Sequence, residues 1–436
     1  MLKKVGALLI RDLKDADTGK LLRRWEINEK VKRTTKEVLK EVKERKLEAV
    51  LSFTEQFDGV KLDGDCLGVT EDEIQMAYSE LTSAQVNAIK ESIKRVSGFC
   101  VRQKESMEDI TLETPEGIVR LRWLPIKRVG VYAPAGRAPL PSSVIMGVIP
   151  AKIAGASEVL LCSPPQKDGG ISPAILVAAN ECGVNDVYKI GGGQAIGAMA
   201  YGCGVFPPVE MICGPGNQYV TYAKQLVSAE GLVKTDTIAG SSEVLIIADE
   251  TADSRLVAND MLAQAEHGET SAAVCITFSE TLAKNLAREI DEQLSSYEEK
   301  EPMLSSLRNF GAILITEDEE NAICFANEFA PEHLEIFTKE AESMAERIIN
   351  AGAIFLGTGE VFGDYGMSGG NHILPTGRAS RFASPVSVFS FMKQQQVEVM
   401  TRESQAELSE ITAEFARMET LEAHARSAEL RGGDNG

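Results

Sequence analysis

From residue 128 onward, short runs rich in β-branched residues alternate with helix-length segments, and this alternation constrains the fold more than any other feature of the chain. The runs are Arg128–Tyr132, Glu158–Leu161, Asp186–Ile190, Glu210–Cys213, Glu243–Ala248, Ala272–Thr277, Gly311–Thr316, Leu334–Phe337 and Ala353–Leu356. Strands separated by helices of roughly 10–15 residues make βαβ units, whose strands lie parallel with helices on both faces. The series is long enough for two sheets. The expected class is α/β, with two doubly wound Rossmann-like domains, largely parallel sheets, and small helical extensions at the N- and C-termini.

Before that series, residues 27–104 carry helical periodicity, through Val31, Val38, Val42 and Leu47 and again from about Glu71 to Gln103. After about Ala383 the β signal fades, and Glu403 to Arg431 reads as polar helix. The expected division is therefore an N-terminal extension (1–26), a first Rossmann-like domain from 27–129 and 238–382, a second from 130–237, and a C-terminal helical arm over 383–436.

Charge and cysteine usage narrow the function classes. A formal net charge of -20 over 436 residues argues against a nucleic-acid partner, because phosphate binding needs a basic surface. The apolar start Met1–Ile10 stops at Arg11-Asp12, short of a signal-peptide core. No apolar run approaches the roughly 18 residues of a membrane span. The eight cysteines form no C-x-x-C pair, and most lie in apolar surroundings, as buried free thiols of a reducing compartment do. The expected location is cytoplasmic, with no membrane partner.

Three glycine-containing turns follow strands: Val131-Tyr132-Ala133-Pro134-Ala135-Gly136, Ile190-Gly191-Gly192-Gly193-Gln194-Ala195-Ile196-Gly197 and Cys213-Gly214-Pro215-Gly216-Asn217. None has the G-x-G-x-x-G spacing, and no well-placed acid follows the second about 20 residues on. Each alone reads as a tight structural turn. Their position at strand C-termini is nonetheless where open α/β sheets bind ligands.

The chain holds four histidines. Gln264 and His267 are three apart on an expected helix and share a face. His333 follows Glu332 at a helix-to-strand transition, His372 ends the segment from Gly363-Asp364-Tyr365, and His424 lies in the C-terminal helix. Singly, each reads as a satisfied structural histidine. As a set, an amide oxygen, a carboxylate and two imidazoles make an N/O site suited to zinc, still net positive with one anionic ligand.

Gln264-Ala265-Glu266-His267-Gly268, Pro331-Glu332-His333-Leu334-Glu335, Gly363-Asp364-Tyr365 with Asn371-His372-Ile373-Leu374-Pro375-Thr376, and Gly214-Pro215-Gly216-Asn217 together resemble the histidinol dehydrogenase family. Pro141-Ser142-Ser143 through Pro150-Ala151-Lys152, and Glu422-Ala423-His424-Ala425, extend the resemblance over about residues 25–431. It implies an NAD-dependent oxidation of L-histidinol to L-histidine through an aldehyde, the last step of histidine biosynthesis. It also implies one zinc ion per subunit and a homodimer whose active site is shared across subunits.

By this resemblance Gln264, His267, Asp364 and the partner's His424 are the zinc ligands, and Glu332 and His333 the acid/base pair. Ser142, Ser242, His372 and Glu419 are expected to bind substrate beside the ligands and the acid/base pair. Tyr132, Gln194 and Asn217 are expected to contact NAD. The first Rossmann-like domain would then carry the zinc and catalytic residues, and the second the NAD side.

Three segments depart from the family pattern. Asp364 to His372 is eight positions where seven is usual, Gly357–Phe362 is shorter than the family's loop, and Ser241 stands where proline is usual. These leave open a paralogue that oxidises another small polar alcohol, such as sulfopropanediol. A catalytically dead zinc-stabilised dimer would not need both Glu332 and His333. A zinc hydrolase would leave the three turns unexplained, and the chain has no H-E-x-x-H helix.

Overall fold

The computed structural model describes residues 3–5, 8–15, 19–22, 27–136, 138–236, 240–357 and 363–433. The chain opens with β1 (Lys3–Val5) and β2 (Leu8–Asp12). The helices Glu29–Arg45, Leu47–Asp58, Glu71–Glu80 and Ser83–Glu105 follow. Thr70 and Thr82 start the last two with reciprocal capping boxes to Glu73 and Gln85, which satisfy N–H groups that have no partner inside the helix.

A hairpin of β3 (Ile110–Thr114) and β4 (Gly117–Pro125) leads into β5 (Arg128–Tyr132), β6 (Glu158–Ser163), β7 (Val187–Lys189), β8 (Met211–Cys213) and β9 (Lys234–Thr235). A second series follows: β10 (Glu243–Ala248), β11 (Ala272–Thr277), β12 (Ala312–Ile315), β13 (His333–Phe337) and β14 (Ala353–Leu356). β15 (Met392–Met400) and a hairpin of helices Arg402–Met418 and Glu422–Gly432 end the described chain.

Both expected parallel sheets are present. One has the order β7-β6-β5-β8-β9; the other is β1-β2-β12-β11-β10-β13-β14, parallel except for the edge pair β1–β2. Taken along the chain, each set of five runs third, second, first, fourth, fifth, which is a doubly wound order. The winding reverses between β5 and β8 in one sheet and between β10 and β13 in the other.

Both faces of each sheet are covered. Val244, Ile246 and Ala248 pack on one side of the second sheet with Leu262 and Leu286, while Leu245 and Ile247 pack on the other with Phe325 and Phe329. Strands buried on both faces lose polar alternation and become continuous apolar runs, which is why this series was legible.

Packing corrects the expected grouping of residues 27–129 with 238–382. Val38, Leu39, Val42 and Val50 pack with Ile190, Ile196 and Ile212, and Ile89, Val96 and Cys100 with Val131 and Ile145. The early helices therefore cover the β5–β9 sheet, while β2 pairs with β12 and joins the N-terminal extension to the other sheet. Helical periodicity reveals an apolar face but not which sheet buries it.

The arm over 383–436 is not helical throughout. β15 pairs antiparallel with β4, giving a third sheet of order β15-β4-β3. β3 is exposed along its length, and β15 carries Lys393-Gln394-Gln395-Gln396, so neither has a buried face to leave a hydrophobic pattern. Cys66 and Cys324 are exposed and the other six cysteines buried, all free. Among the described residues no helix is long and apolar enough to cross a membrane.

Candidate active site

Neighbouring strands β10 and β13, in the register Val244↔His333, bring Glu243 beside Glu332 and His333. The backbone of Glu243 serves both side chains. Its N–H donates to Glu332 Oε2 at 2.9 Å, and its carbonyl lies 3.2 Å from His333 Nδ1. A carbonyl oxygen only accepts, so Nδ1 carries the hydrogen and Nε2 is left with the lone pair. Glu332 Oε2 is also 3.6 Å from Nδ1.

His333 departs from the expectation of an ordinary imidazole. Burial pushes its pKa from 6.5 down to about 3, repulsion from His372 and His267 adds to this, and the Glu243 carbonyl opposes it. His333 is therefore neutral at physiological pH. Because the folded value lies below the unfolded one, the unfolded chain takes up the extra proton in acid. The His333 contribution to stability is present above about pH 6.5 and is lost as pH falls toward 3. The expected slope is about 1.4 kcal/mol per pH unit in that window. Urea unfolding at pH 7 and pH 5 should show His333→Asn losing less stability than the parent chain; equal losses would contradict the assignment.

The segment after β14 returns across both sheets. Ser92 Oγ donates to the Tyr365 carbonyl at 2.6 Å, and Asn371 Nδ2 to the Met146 carbonyl at 2.8 Å. Farther along, Gly377 N–H donates to Glu243 Oε1 at 3.0 Å and Val388 N–H to Gln103 Oε1 at 3.1 Å. The loop thus laces the helices over β5 to the edge of β10 and β13. Ser142 stands in the first turn of helix Pro141–Ala154, the helix that Asn371 grips.

Within this loop Asp364 accepts from the backbone N–H groups of Gly366 and Ser368, each at 2.7 Å, and lies 2.6 Å from His372 Nε2. Burial alone would raise its pKa, but these hydrogen bonds, led by that from His372, hold it well below the ordinary 3.8. The His372 and His333 ring centres are 6.3 Å apart, with Phe355 6.1 Å from His333 and 6.3 Å from His372.

Gln264 is fully buried, and neither its amide nitrogen nor its amide oxygen has a hydrogen-bond partner. A buried polar group left unpaired costs about 1–3 kcal/mol, so the amide is poised for a ligand. Its helix ends at Ala265, so His267 lies just beyond the helix the two were expected to share, in a turn closed by its N–H to the Gln264 carbonyl at 3.3 Å. His267 Nδ1 lies 3.4 Å from Ser242 Oγ. The orphaned amide, the adjoining imidazole and a carboxylate held ionised fit an N/O metal site.

That set is not complete in one chain. Among the described residues no three histidine, cysteine or acidic side chains form a metal cluster. Glu419 and His424 lie apart on the C-terminal hairpin, lining a cavity of about 360 Å³ with Ile411, Phe415 and Leu421. Its apolar face is open, with Ile411 68%, Phe415 60% and Met418 72% exposed.

The three expected cofactor residues meet the C-terminal edge of the other sheet. Tyr132 Oη accepts from Gly192 N–H at 3.1 Å, and Gln194 Nε2 donates to Asp58 Oδ2 at 3.4 Å. Asn217 Oδ1 caps its helix by accepting from Tyr219 and Val220 N–H. Gly214, at φ 129°, sits so close to the end of β5 that a Cβ would collide with the Tyr132 carbonyl.

Beneath this turn Lys224 Nζ donates to the Gly214 carbonyl at 2.8 Å and pairs with Asp236, which accepts from Gly214 N–H at 2.7 Å. The sequence reading missed Lys224, Asp236, Asp58 and the hub Glu243. Two lone charges in apolar stretches, Lys224 and Glu243, were the available signal, since buried charges come with partners.

A family model described as histidinol dehydrogenase matches residues 22–432. The histidinol dehydrogenase of Halalkalibacterium halodurans is 42% identical over 396 residues, covering 90% of this chain and 92% of the relative. That of Methanocaldococcus jannaschii is 42% identical, covering 97% of each chain. The crystal structure of histidinol dehydrogenase from Elizabethkingia anophelis superposes with a TM-score of 0.88 at 34% identity, covering 97% of this chain and 96% of that one. With the fold matched along the whole length, the chain is an oxidoreductase that belongs to the histidinol dehydrogenase family.

Proposed function

We propose that this protein oxidises L-histidinol to L-histidine as a cytoplasmic homodimer, with zinc and NAD, in the last step of histidine biosynthesis. One observation carries the reading beyond family membership. A buried glutamate and a neutral histidine are held on one backbone unit of Glu243.

The reaction consumes one alcohol, one water and two NAD, and yields a carboxylate, two NADH and three protons. NAD, when bound, would supply the hydride acceptor for both half-reactions. His333 Nε2, the ring nitrogen that does not carry the hydrogen, takes the alcohol proton as hydride leaves. The imidazolium formed is stabilised through Nδ1 by the Glu243 carbonyl and the Glu332 carboxylate. Glu332 then removes a proton from the water that adds to the aldehyde, and His333 serves the hydrate as it served the alcohol. Gln264, His267, Asp364 and the partner's His424 would hold zinc, which would supply a Lewis-acidic anchor for the substrate's nitrogens. Ser142, Ser242, His372 and Glu419 position the substrate around it. Tyr132, Gln194 and Asn217 line the NAD side, at the C-terminal ends of β5, β7 and β8.

Metal removal tests the reading. A chelator is expected to abolish turnover while NAD binding persists, and zinc to restore it. Gln264→Ala should leave purified protein zinc-poor by elemental analysis. Full activity in metal-free protein would overturn the zinc assignment.

A further inference from the structure

Asp58 is the last residue of helix Leu47–Asp58, followed by Gly59 at φ 72°. A carboxylate there faces the negative end of the helix dipole. Desolvation raises its pKa to about 6, and no lysine or arginine among the described residues offsets that. Its observed partner is the long hydrogen bond from Gln194. Nothing in the helix itself favours an acid at this position.

Its surroundings are the cofactor turns. Asp58 Oδ1 lies 3.2 Å from where a Cβ on Gly191 would stand, and Pro164 borders the same point. The Tyr132 phenol feels its charge. Asp58 therefore sits where the turns after β5, β6 and β7 converge. In a doubly wound dinucleotide-binding domain an acid near the end of the second strand accepts hydrogen bonds from a ribose. The second strand here is β6, which ends at Ser163, and the first acid after it, Asp168, accepts from Gly170 N–H in its own turn. A helix outside the sheet brings Asp58 to that place.

We propose that Asp58 is the carboxylate that accepts hydrogen bonds from the adenosine ribose hydroxyls of the dinucleotide and excludes a 2′-phosphate, setting the preference for NAD over NADP. The proposal rests on the NAD-linked reading above. Ribose hydroxyls donate charge-assisted hydrogen bonds to a carboxylate. A 2′-phosphate would bring a second anion against the same oxygens.

The test is equilibrium binding of NAD, 2′-deoxy-NAD and NADP to the zinc-loaded full chain and to Asp58→Asn. The parent chain should bind NAD about tenfold tighter than 2′-deoxy-NAD and about a hundredfold tighter than NADP. Asp58→Asn should bind NAD and 2′-deoxy-NAD alike and narrow the NAD-to-NADP ratio at least tenfold. Its thermal midpoint should not fall, since the substitution removes a desolvated charge of the same shape. Equal weakening of all three ligands would make Asp58 only a support for Gln194 and overturn the proposal, as would an unchanged set of ratios. A parent chain that binds no dinucleotide overturns the NAD reading itself, an outcome visible before any variant is compared.

Discussion

Glu332→Gln is expected to oxidise the alcohol at a rate close to the parent chain and to lose aldehyde oxidation by about 10²–10⁴-fold, the usual worth of a positioned general base. The geometry separates the two half-reactions. His333 Nε2 is the lone pair available to the alcohol, and it is set by the Glu243 carbonyl on the other ring nitrogen, not by Glu332 alone. A glutamine amide oxygen can still accept from Glu243 N–H, as the carboxylate does at 2.9 Å, so the local fold should persist. What it cannot do is take a proton from water. Single-turnover assays started separately from histidinol and from histidinal measure the two steps. Equal loss in both would remove the division of labour and leave Glu332 as a positioning residue for His333.

Mixing two variants that each fail to form histidine is expected to restore histidine formation. His424→Asn should lose zinc and turnover, because in the proposed dimer its imidazole would complete the site of the other subunit, while Glu332→Gln would disable its own. In a heterodimer of the two, one site has an intact Glu332 and receives an intact His424, and the other has neither. Random reassociation of equal amounts should therefore recover about a quarter of parental activity, as the two-fold symmetry of a dimer requires. The open face of Ile411, Phe415 and Met418 beside Glu419 and His424 is what such docking would bury. Mixtures no more active than the separate variants would place His424 outside the shared site.

Much of this architecture was legible in the chain because βαβ units write themselves as continuous apolar runs. Arg128–Tyr132, Glu243–Ala248, Ala272–Thr277 and Ala353–Leu356 coincide with β5, β10, β11 and β14 residue for residue. What escaped was set by partners distant in sequence. β15 exists because β4 pairs with it, and its Lys393-Gln394-Gln395-Gln396 stretch has no pattern of its own. The helices of residues 29–105 show an apolar face that either sheet could have taken.

The candidate site divides the same way. Glu332, His333, Gln264 and His267 could be picked out by residue type and spacing, and the structure sets Glu332 and His333 on the Glu243 backbone and Asp364 beside His372. The role of Glu243 could not be read so, because it acts through its backbone across a strand pair. Nor could the tuning of His333, which depends on burial and on His372 and His267 nearby. Glu419 and His424 stay together on the C-terminal hairpin.

The most direct test of the central claim is the stoichiometry of NADH formed by the zinc-loaded protein with L-histidinol as sole substrate, followed by near-ultraviolet absorbance. The account predicts two NADH for each histidinol consumed, with histidine as product. One NADH with accumulated aldehyde, or no turnover from protein that holds zinc and binds NAD, would contradict it and direct attention to the altered Asp364–His372 segment and a different polar alcohol.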